Sequence, residues 1–483
     1  MIHSDDIDDP QAKRICFECV GETYLSEEIK QNGKIGLCSY CHQAAESYEI
    51  EVLAERIETA FEHHYYRTSD QPDSWQQSLL ADRESSYVWE RDGVPVVDAI
   101  EAAADIPQDA AEDVLLILED KHEDFELDKM GEETEFSSDS YYAERGASDR
   151  AWQEEWRTFE QSLKKEARFF SRIAASHLAS VFGGIGKLMT MDGRPLVLDA
   201  GPRLELDHLY RARVFQSNDK FIEALCRPDI HLGSPPASLA SAGRMNARGI
   251  SVFYGTTEAT VAIAEVRPPV GSKVAVARFN IIRPLRLLDL TALEKVQDGG
   301  SIFDPSLKGR LERIAFLQSL GQRITRPVMP DDEVFDYLAT QAIADFLATE
   351  NDPLLDGIIF RSAQVKDGCN VVLFQKAARV ETMELPEGTE IDVQSGYETE
   401  DGLEIDYSVT ERVPPPSPSA KQDNSRPHFL PPPDPVYGCE VDFRDSALQI
   451  DPKSVAVHQV DWVEYKSTTY QVDRHRYEKH DLE

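Results

Sequence analysis

Apolar residues recur at helical spacing over the first part of this chain and at strand spacing through its middle. From Ser47 to Tyr66, the positions Ile50, Leu53, Ile57, Ala60, Phe61 and His64 fall on one helical stripe and predict a helix. Asp98 to Ala104 and Pro107 to Leu118 predict two short helices, the second entered by Pro107 near its first turn. From Ala151 to Val181, Trp152, Trp156, Phe159, Leu163, Phe170, Ile173 and His177 return at intervals of three, four or seven. That spacing predicts one long amphipathic helix packed on other helices. Residues 119–150 are acidic and poor in apolar positions, so they read as a long loop or partly ordered segment. Gly183, Gly184 and Gly186 stop the helix and open a hinge.

Beyond residue 200 the pattern alternates. Strands are expected at 211–215, 251–254, 273–281, 285–289, 357–360 and 370–374, and helices at 218–226, 257–266, 306–323 and 332–348. The last helix offers Val334, Phe335, Leu338, Ile343, Phe346 and Leu347 to a core. Asp367-Gly368 marks a turn between an antiparallel pair of strands. The class is α+β: a zinc-ribbon module over 1–45, a helical domain over 46–190, and an α+β domain over 200–380. An acidic extension follows over 381–413 and a proline-rich linker over 414–435. The segment 436–483 has short strand-like runs at Val455–Val460 and Thr468–Val472, then a charged tail, and suggests no function.

Composition sharpens this division. A chain of 483 residues with 41% hydrophobic content exceeds one compact core. Its net charge of -38 repels nucleic acid and anionic membranes. One island departs from the total: residues 200–290 hold 12 Lys/Arg against 8 Asp/Glu, a balance of +4. A local positive field inside an acidic protein suits a small phosphate-bearing ligand. The start, MIHSDDIDDP, is acidic and polar, which predicts no secretory leader, and no apolar run is long enough to span a membrane. A cytoplasmic protein is expected, and a homo-oligomer stays open.

Four of the seven cysteines are patterned. Cys16 and Cys19 form one CxxC pair, and Cys38 and Cys41 form another after 18 intervening residues. Two such turns can offer four thiolates to one tetrahedral Zn2+, a structural site with no open position for catalysis. Lys34-Ile-Gly-Leu37 before Cys38 reads as a hairpin strand. Cys226, Cys369 and Cys439 stand alone.

Inside the positive island, residues 243–266 read GRMNARGISVFYGTTEATVAIAEV. A loop with two glycines carries Arg244, Asn246 and Arg248; a short strand ends in Tyr254; a helix carries Glu265 near its far end. Arginine, tyrosine and one glutamate within about twenty residues suit an anionic nucleotide. The plain alternative is an ordinary βα unit with scattered charges.

Three motifs together resemble the RES domain family. Tyr210-Arg211-Ala212-Arg213 is similar to its first element, Gly243 through Tyr254 to Glu265-Val266 to its second, and Asp356-Gly357 through Arg361-Ser362 with Gly368-Cys369-Asn370 to its third. The cysteine module and helices upstream resemble the HEPN-type region in front of some larger RES proteins. The resemblance implies an ADP-ribosyltransferase-like fold and NAD+ as substrate, consumed by hydrolysis or phosphorolysis of the nicotinamide–ribose bond, with protein ADP-ribosylation as an alternative. It also implies a toxin or defence effector restrained by an antitoxin or another regulator, and a gating role for the N-terminal half follows as an expectation.

Within that resemblance, Arg211 and Arg244 are expected on the pyrophosphate, with Arg213 and Arg248 as reserves. Tyr254 is expected to stack on nicotinamide or ribose, and Glu265 to stabilise the ribose cation. Asn246, Ser362 and Asn370 are candidate substrate contacts; Asn370 has a turn-buttressing role as its alternative. Whether Arg211 or Arg213 is the family arginine stays open, since both project from one strand face. Two other functions compete. One is a HEPN-type ribonuclease using Arg56 with His63 or Arg172 with His177, and the other a non-catalytic NAD+ sensor.

Overall fold

A computed structural model describes residues 12–326, 328–329, 331–399, 402–415, 442–464 and 466–476. They form two compact units. The first holds the chain through residue 161 together with 188–194 and 293–321; the second holds 162–187, 195–292 and 322 onward. No helix among the described residues is long and apolar enough to cross a membrane.

The first unit begins with β1 (Arg14–Cys16), α1 (Thr23–Asn32), β2 (Lys34–Leu37) and β3 (Ala44–Glu49), with the strands ordered β1-β3-β2. The hairpin strand expected before Cys38 is β2. Next come α2 (Ile50–His64), β4 (Tyr65–Arg67), α3 (Ser74–Ala81), β5 (Val94–Pro95), α4 (Val96–Ala104), α5 (Gln108–His122), α6 (Phe125–Met130), β6 (Tyr141–Glu144) and α7 (Arg150–Lys165). The stripe Ile50, Leu53, Ile57, Ala60 and Phe61 is buried as its spacing predicts. The helix starts at Ile50 rather than Ser47, because Ser47 and Tyr48 pair with β1. Ile15, Val20, Leu25 and Ile29 of the cysteine module share one apolar core with Ile57, Ile100 and Val114. The module therefore does not close on itself at residue 45.

Two expectations for this region are corrected. Residues 119–150 are not a loop: α5 runs on to His122, α6 follows, and β6 pairs with both β4 and β5. Their acidic composition hid a strand whose apolar face is supplied by Tyr142, 3% exposed against Phe61 and Phe136. The helix expected over 151–181 is two helices, α7 and α8 (Arg172–Phe182). Ser171 caps α8 by accepting from the Ala174 N–H at 3.2 Å, and Phe170 and Ile173 lie exposed off the stripe. The chain leaves α8 at Gly183 and takes a left-handed backbone at Gly184 (φ +67°).

The remaining elements are β7 (Met189–Thr190), β8 (Val197–Ala200), β9 (His208–Phe215), α9 (Asn218–Cys226), α10 (Pro228–His231), β10 (Phe253–Thr256), α11 (Ala259–Glu265), β11 (Lys273–Ile281), β12 (Leu285–Asp289), β13 (Val296–Gln297), α12 (Leu307–Thr325) and α13 (Glu333–Thr349). Then follow β14 (Gly357–Arg361), β15 (Cys369–Leu373), β16 (Glu390–Gln394), β17 (Tyr397–Thr399), β18 (Gly402–Glu404), β19 (Ser408–Arg412), β20 (Leu448–Ile450) and β21 (Ala456–Gln459). The second unit is built on a nine-stranded sheet of order β20-β11-β9-β10-β15-β14-β12-β8, with β21 also on β11. Only β12 and β14 run parallel, so the α+β class holds. Ala262, with Ala259 and Ile263 of α11, covers one face at Ala212, Val274 and Val276, and α9 covers the other through Phe221 and Leu225.

Strands and helices beyond residue 200 lie within a few residues of their expected places. On α13, however, Val334 and Phe335 are 71% and 53% exposed, and the buried side begins at Ala339. The segment after 436 does have a structural role. β20 and β21 lie end to end along one edge of β11, while 468–472 forms no strand. The expected acidic extension contains the β16–β19 hairpin. Residues 416–435 of the proline-rich linker and Cys439 lie outside the described residues.

One polar contact fixes the cysteine module on its helices. Asp113 of α5, 6% exposed, accepts from Lys13 Nζ at 2.7 and 2.8 Å and from the Tyr40 hydroxyl at 2.9 Å. Burial, and then Asp113, push the Tyr40 hydroxyl pKa up, so it stays a donor. Asp113→Ala strands both donors and is expected to cost about 2 kcal/mol. Chemical unfolding followed by tyrosine fluorescence measures this, and no loss of stability would refute the role of Asp113.

Candidate active site

The positive island folds into the wall of a cavity of about 320 Å3 in the second unit. β9 contributes Tyr210 and Arg211, β10 contributes Tyr254, the end of α11 contributes Glu265 and then Arg267, and α13 contributes Tyr337. β14 ends at the cavity with Phe360 and Arg361, Gln364 follows in the turn, and β15 supplies Asn370. The volume lies at the low end of the ~300–1,000 Å3 of small-molecule sites.

Glu265 is the centre of the polar network. Its Oε1 accepts from the Ser362 hydroxyl at 2.5 Å and from Asn370 Nδ2 at 2.8 Å. Ser362 is itself oriented by the Gln364 and Val365 N–H groups, which donate to its Oγ at 3.0 and 3.1 Å. Asn370 is placed by its register, opposite Thr256 on one side and Phe360 on the other. Among the described residues Glu265 Oε2 has no hydrogen-bond partner. Ser362 and Asn370 thus hold the carboxylate in place; Ser362 does not line the cavity.

The arginines separate into distinct positions. Among the described residues Arg211 Nη1 has no hydrogen-bond partner; it has almost no solvent contact, and the guanidinium lies 5.0 Å from the Phe253 ring centre. Burial, and then Arg213, lower its pKa to about 10. Arg213 projects from the same strand, but its Nη1 donates to the His231 carbonyl at 2.7 Å and it does not line the cavity. Arg244 lines the cavity beside Tyr337, 5.0 Å from that ring centre, with Nη1 on the Ile324 carbonyl (2.6 Å) and Nη2 on the Arg326 carbonyl (3.0 Å). Arg248 is exposed and away from the cavity.

Tyr254 and Asn246 build the wall between them. The Tyr254 hydroxyl accepts from the Met245 N–H at 3.0 Å and donates to Asn246 Oδ1 at 3.0 Å. Burial raises its pKa to about 12. Asn246, 4% exposed, spends its Nδ2 on the Ser241, Ala247 and Ile250 carbonyls. It therefore shapes the loop rather than lining the cavity. A Cβ at Gly243 would come within 2.7 Å of the Tyr254 hydroxyl and of Asn246 Oδ1, so a larger residue here would push apart that hydrogen-bonded pair.

Arg267 and Tyr337 were not legible as site residues. Gln364, in the amide orientation that satisfies both ends, accepts from Arg267 Nη2 at 2.8 Å and Nε at 3.2 Å. Arg267 lies two residues past Glu265, a signal that was available; Tyr337 stands on a helix whose apolar spacing pointed to a core. Of the Arg/His pairs considered for RNA cleavage, Arg56 is held by Glu28 Oε2 (2.6 Å) and the Phe303 carbonyl (2.8 Å). In the other pair, Arg172 is exposed and His177 buried on α8.

The four patterned cysteines meet in the first unit. Their Sγ atoms all lie within 4.8 Å of one another, with Cys16–Cys41 at 3.5 Å and Cys19–Cys38 at 3.8 Å. Those gaps are far longer than a disulfide bond of ~2.05 Å. They match the roughly 3.8 Å edges of a tetrahedron with metal–sulfur bonds of ~2.3 Å. The donor set fits one zinc ion, and it belongs to the thiolate-only class.

Comparison with known families finds two matches. Residues 209–393 match the RES domain, and residues 31–176 match the HEPN/RES N-terminal domain 1. No curated protein and no solved structure matches the chain. The chain carries a RES domain behind a HEPN/RES N-terminal domain, which implies NAD+ processing as the level of substrate class.

Arg211 costs the folded state. Its folded pKa lies below the ordinary arginine value, so the penalty is present at every pH below about 10 and lifts only above it. Arg211→Met is expected to raise the melting temperature of the second unit by a few degrees, from about 1–2 kcal/mol of relieved desolvation. Calorimetry at neutral pH measures it, and a lowered melting temperature would show that the guanidinium is structural.

Proposed function

We propose that this protein cleaves the nicotinamide–ribose N-glycosidic bond of NAD+, by hydrolysis or phosphorolysis, on an ADP-ribosyltransferase-like RES domain. The observation that carries this reading is the pairing of charges in one cavity: a carboxylate fixed through one oxygen, and an arginine whose Nη1 is buried with no acceptor among the described residues. An enzyme that must meet a ribose cation and a phosphate needs that combination.

In this mechanism Arg211 takes a pyrophosphate oxygen, which repays the desolvation that no protein group repays. Arg244 adds positive potential on the same wall, and Tyr254 and Tyr337 present aromatic surface. The C1′–N bond breaks with both electrons passing to the nicotinamide ring, which leaves neutral. Positive charge develops on C1′ and the ring oxygen, facing Glu265 Oε2. Water or phosphate then attacks C1′, and Glu265 orients that acceptor or takes its proton. Ser362 and Asn370 keep the carboxylate from turning away as the charge forms. Protein ADP-ribosylation would use the same bond cleavage with a side chain as acceptor, and the products separate the two.

Incubation with NAD+, with and without phosphate, is expected to release free nicotinamide with ADP-ribose or its 1-phosphate. Glu265→Gln should slow release by about 100-fold or more. Asn370→Ala should slow it by about tenfold with little change in KM, as expected for a positioning residue. NAD+ that survives intact in all these mixtures, or a Glu265→Gln variant as fast as the parent, would sink the reading.

Zn2+ on Cys16, Cys19, Cys38 and Cys41 is the second part of the proposal, as a structural ion of the first unit. Metal analysis is expected to find about one zinc per chain. Chelation or Cys38→Ser should lower the melting temperature of the first unit without changing the second. A metal-free protein of unchanged stability would refute it.

A further inference from the structure

A second cavity, of about 170 Å3, lies in the first unit at the C-terminal end of α2. His63, His64, Arg145, Lys308 and Glu312 supply its polar lining. It shares no residue with the cavity around Glu265. We propose that it binds inorganic phosphate or the phosphomonoester head of a small metabolite.

Chain geometry brings these groups together from distant positions. His63 and His64 close the last turn of α2, and the β4–β6 pairing sets Tyr65 opposite Glu144. Arg145 follows directly, and its N–H donates to the His64 carbonyl at 2.6 Å. Lys308 and Glu312 are one turn apart on α12.

Charge is what marks the cavity. In a chain of net charge -38, four groups that carry or can accept a positive charge face one carboxylate. Lys308 and Glu312 stand at a spacing that allows an ion pair, yet they form none. Among the described residues the side chains of His63 and Lys308 make no hydrogen bond or ion pair. The Arg145 guanidinium makes one long contact, 3.4 Å to the Glu62 carbonyl. His64 is 9% exposed, and burial, then His63 and Lys308, hold its pKa below the ordinary histidine value. Among the described residues the acceptors offered to these groups are only the Glu312 carboxylate in the lining and the distant Glu62 carbonyl. A dianion with several acceptor oxygens would relieve all four. The volume is below the ~300 Å3 of whole-metabolite pockets, so the anionic head alone fits inside.

Calorimetric titration of the full chain tests this. Inorganic phosphate and AMP serve as separate probes at constant ionic strength, so that free phosphate and a monoester are told apart. The Arg211→Gln variant is used to weaken phosphate binding in the other cavity. Saturable binding of either probe is expected to survive in that variant. Adding Lys308→Met should weaken it about tenfold or more, and Lys308→Arg should restore it to within about threefold. A second readout needs no arginine variant: phosphate should shift the imidazole resonances of His63 and His64 in the parent protein. With sulfate, whose charge is fixed, affinity should rise only as the pH falls below the ordinary histidine range, because burial, then His63 and Lys308, hold the His64 pKa low beside Arg145 and Glu312. The proposal is overturned if neither probe binds saturably, or if Lys308→Met leaves affinity and both imidazole signals unchanged. Neither outcome bears on NAD+ cleavage, which is read from nicotinamide release.

Discussion

The second unit turns on one shared oxygen. Glu265 Oε1 receives both Ser362 Oγ and Asn370 Nδ2, and those donors come from the two sides of the β14–β15 turn. The helix end, the turn and the strand are thereby locked to each other by a charged acceptor. Two charge-assisted bonds to one oxygen fix the plane of the carboxylate and leave its second oxygen to the cavity. A glutamate at a helix end is otherwise a mobile side chain. Here it is pre-organised, which is the condition under which a fixed charge stabilises a developing one.

The opposite wall shows the complementary constraint. Arg211 is carried into a poorly solvated position by β9, against Phe253, and is given no acceptor. The fold tolerates that cost because the sheet around it is apolar and continuous, with Leu209, Ala275, Ala277 and Phe279 at 0% exposure. Tyr254 and Asn246 solve a different problem. They satisfy the loop from Ser241 to Ile250, whose carbonyls would otherwise be buried without donors, and so present Arg244 on a rigid support.

The first unit rests on similar economy. The cysteine turns lack a core of their own, and Ile15, Leu25 and Ile29 borrow the apolar face of α2 and α5. Asp113 then satisfies Lys13 and Tyr40 at that seam. Elsewhere in this unit the side chains of His63 and Lys308 line a small cavity and have no hydrogen-bond or ion-pair partner among the described residues.

Periodicity and punctuation alone determined a good deal. β11, β12, α9 and the β14–β15 pair follow from alternation, apolar stripes and the Asp367-Gly368 turn, because these signals are local. The two CxxC pairs fixed the thiolate cluster for the same reason, and the three motifs pointed to Glu265, Arg211, Arg244 and Tyr254 as neighbours. Local signals failed where a distant partner decided the outcome. The acidic stretch before Arg150 hid β6, whose stability comes from β4 and β5, and the stripe from Trp152 to His177 hid the break at Ser171. Side-chain roles were decided last of all. Arg211 and Arg213 share a strand face, yet one reaches the cavity and the other meets the His231 carbonyl. Ser362 and Asn370, candidate substrate contacts, both donate to Glu265 Oε1, and Asn370 also lines the cavity. A sequence records which groups are present, but which acceptor each donor reaches depends on where strands more than a hundred residues apart are laid side by side.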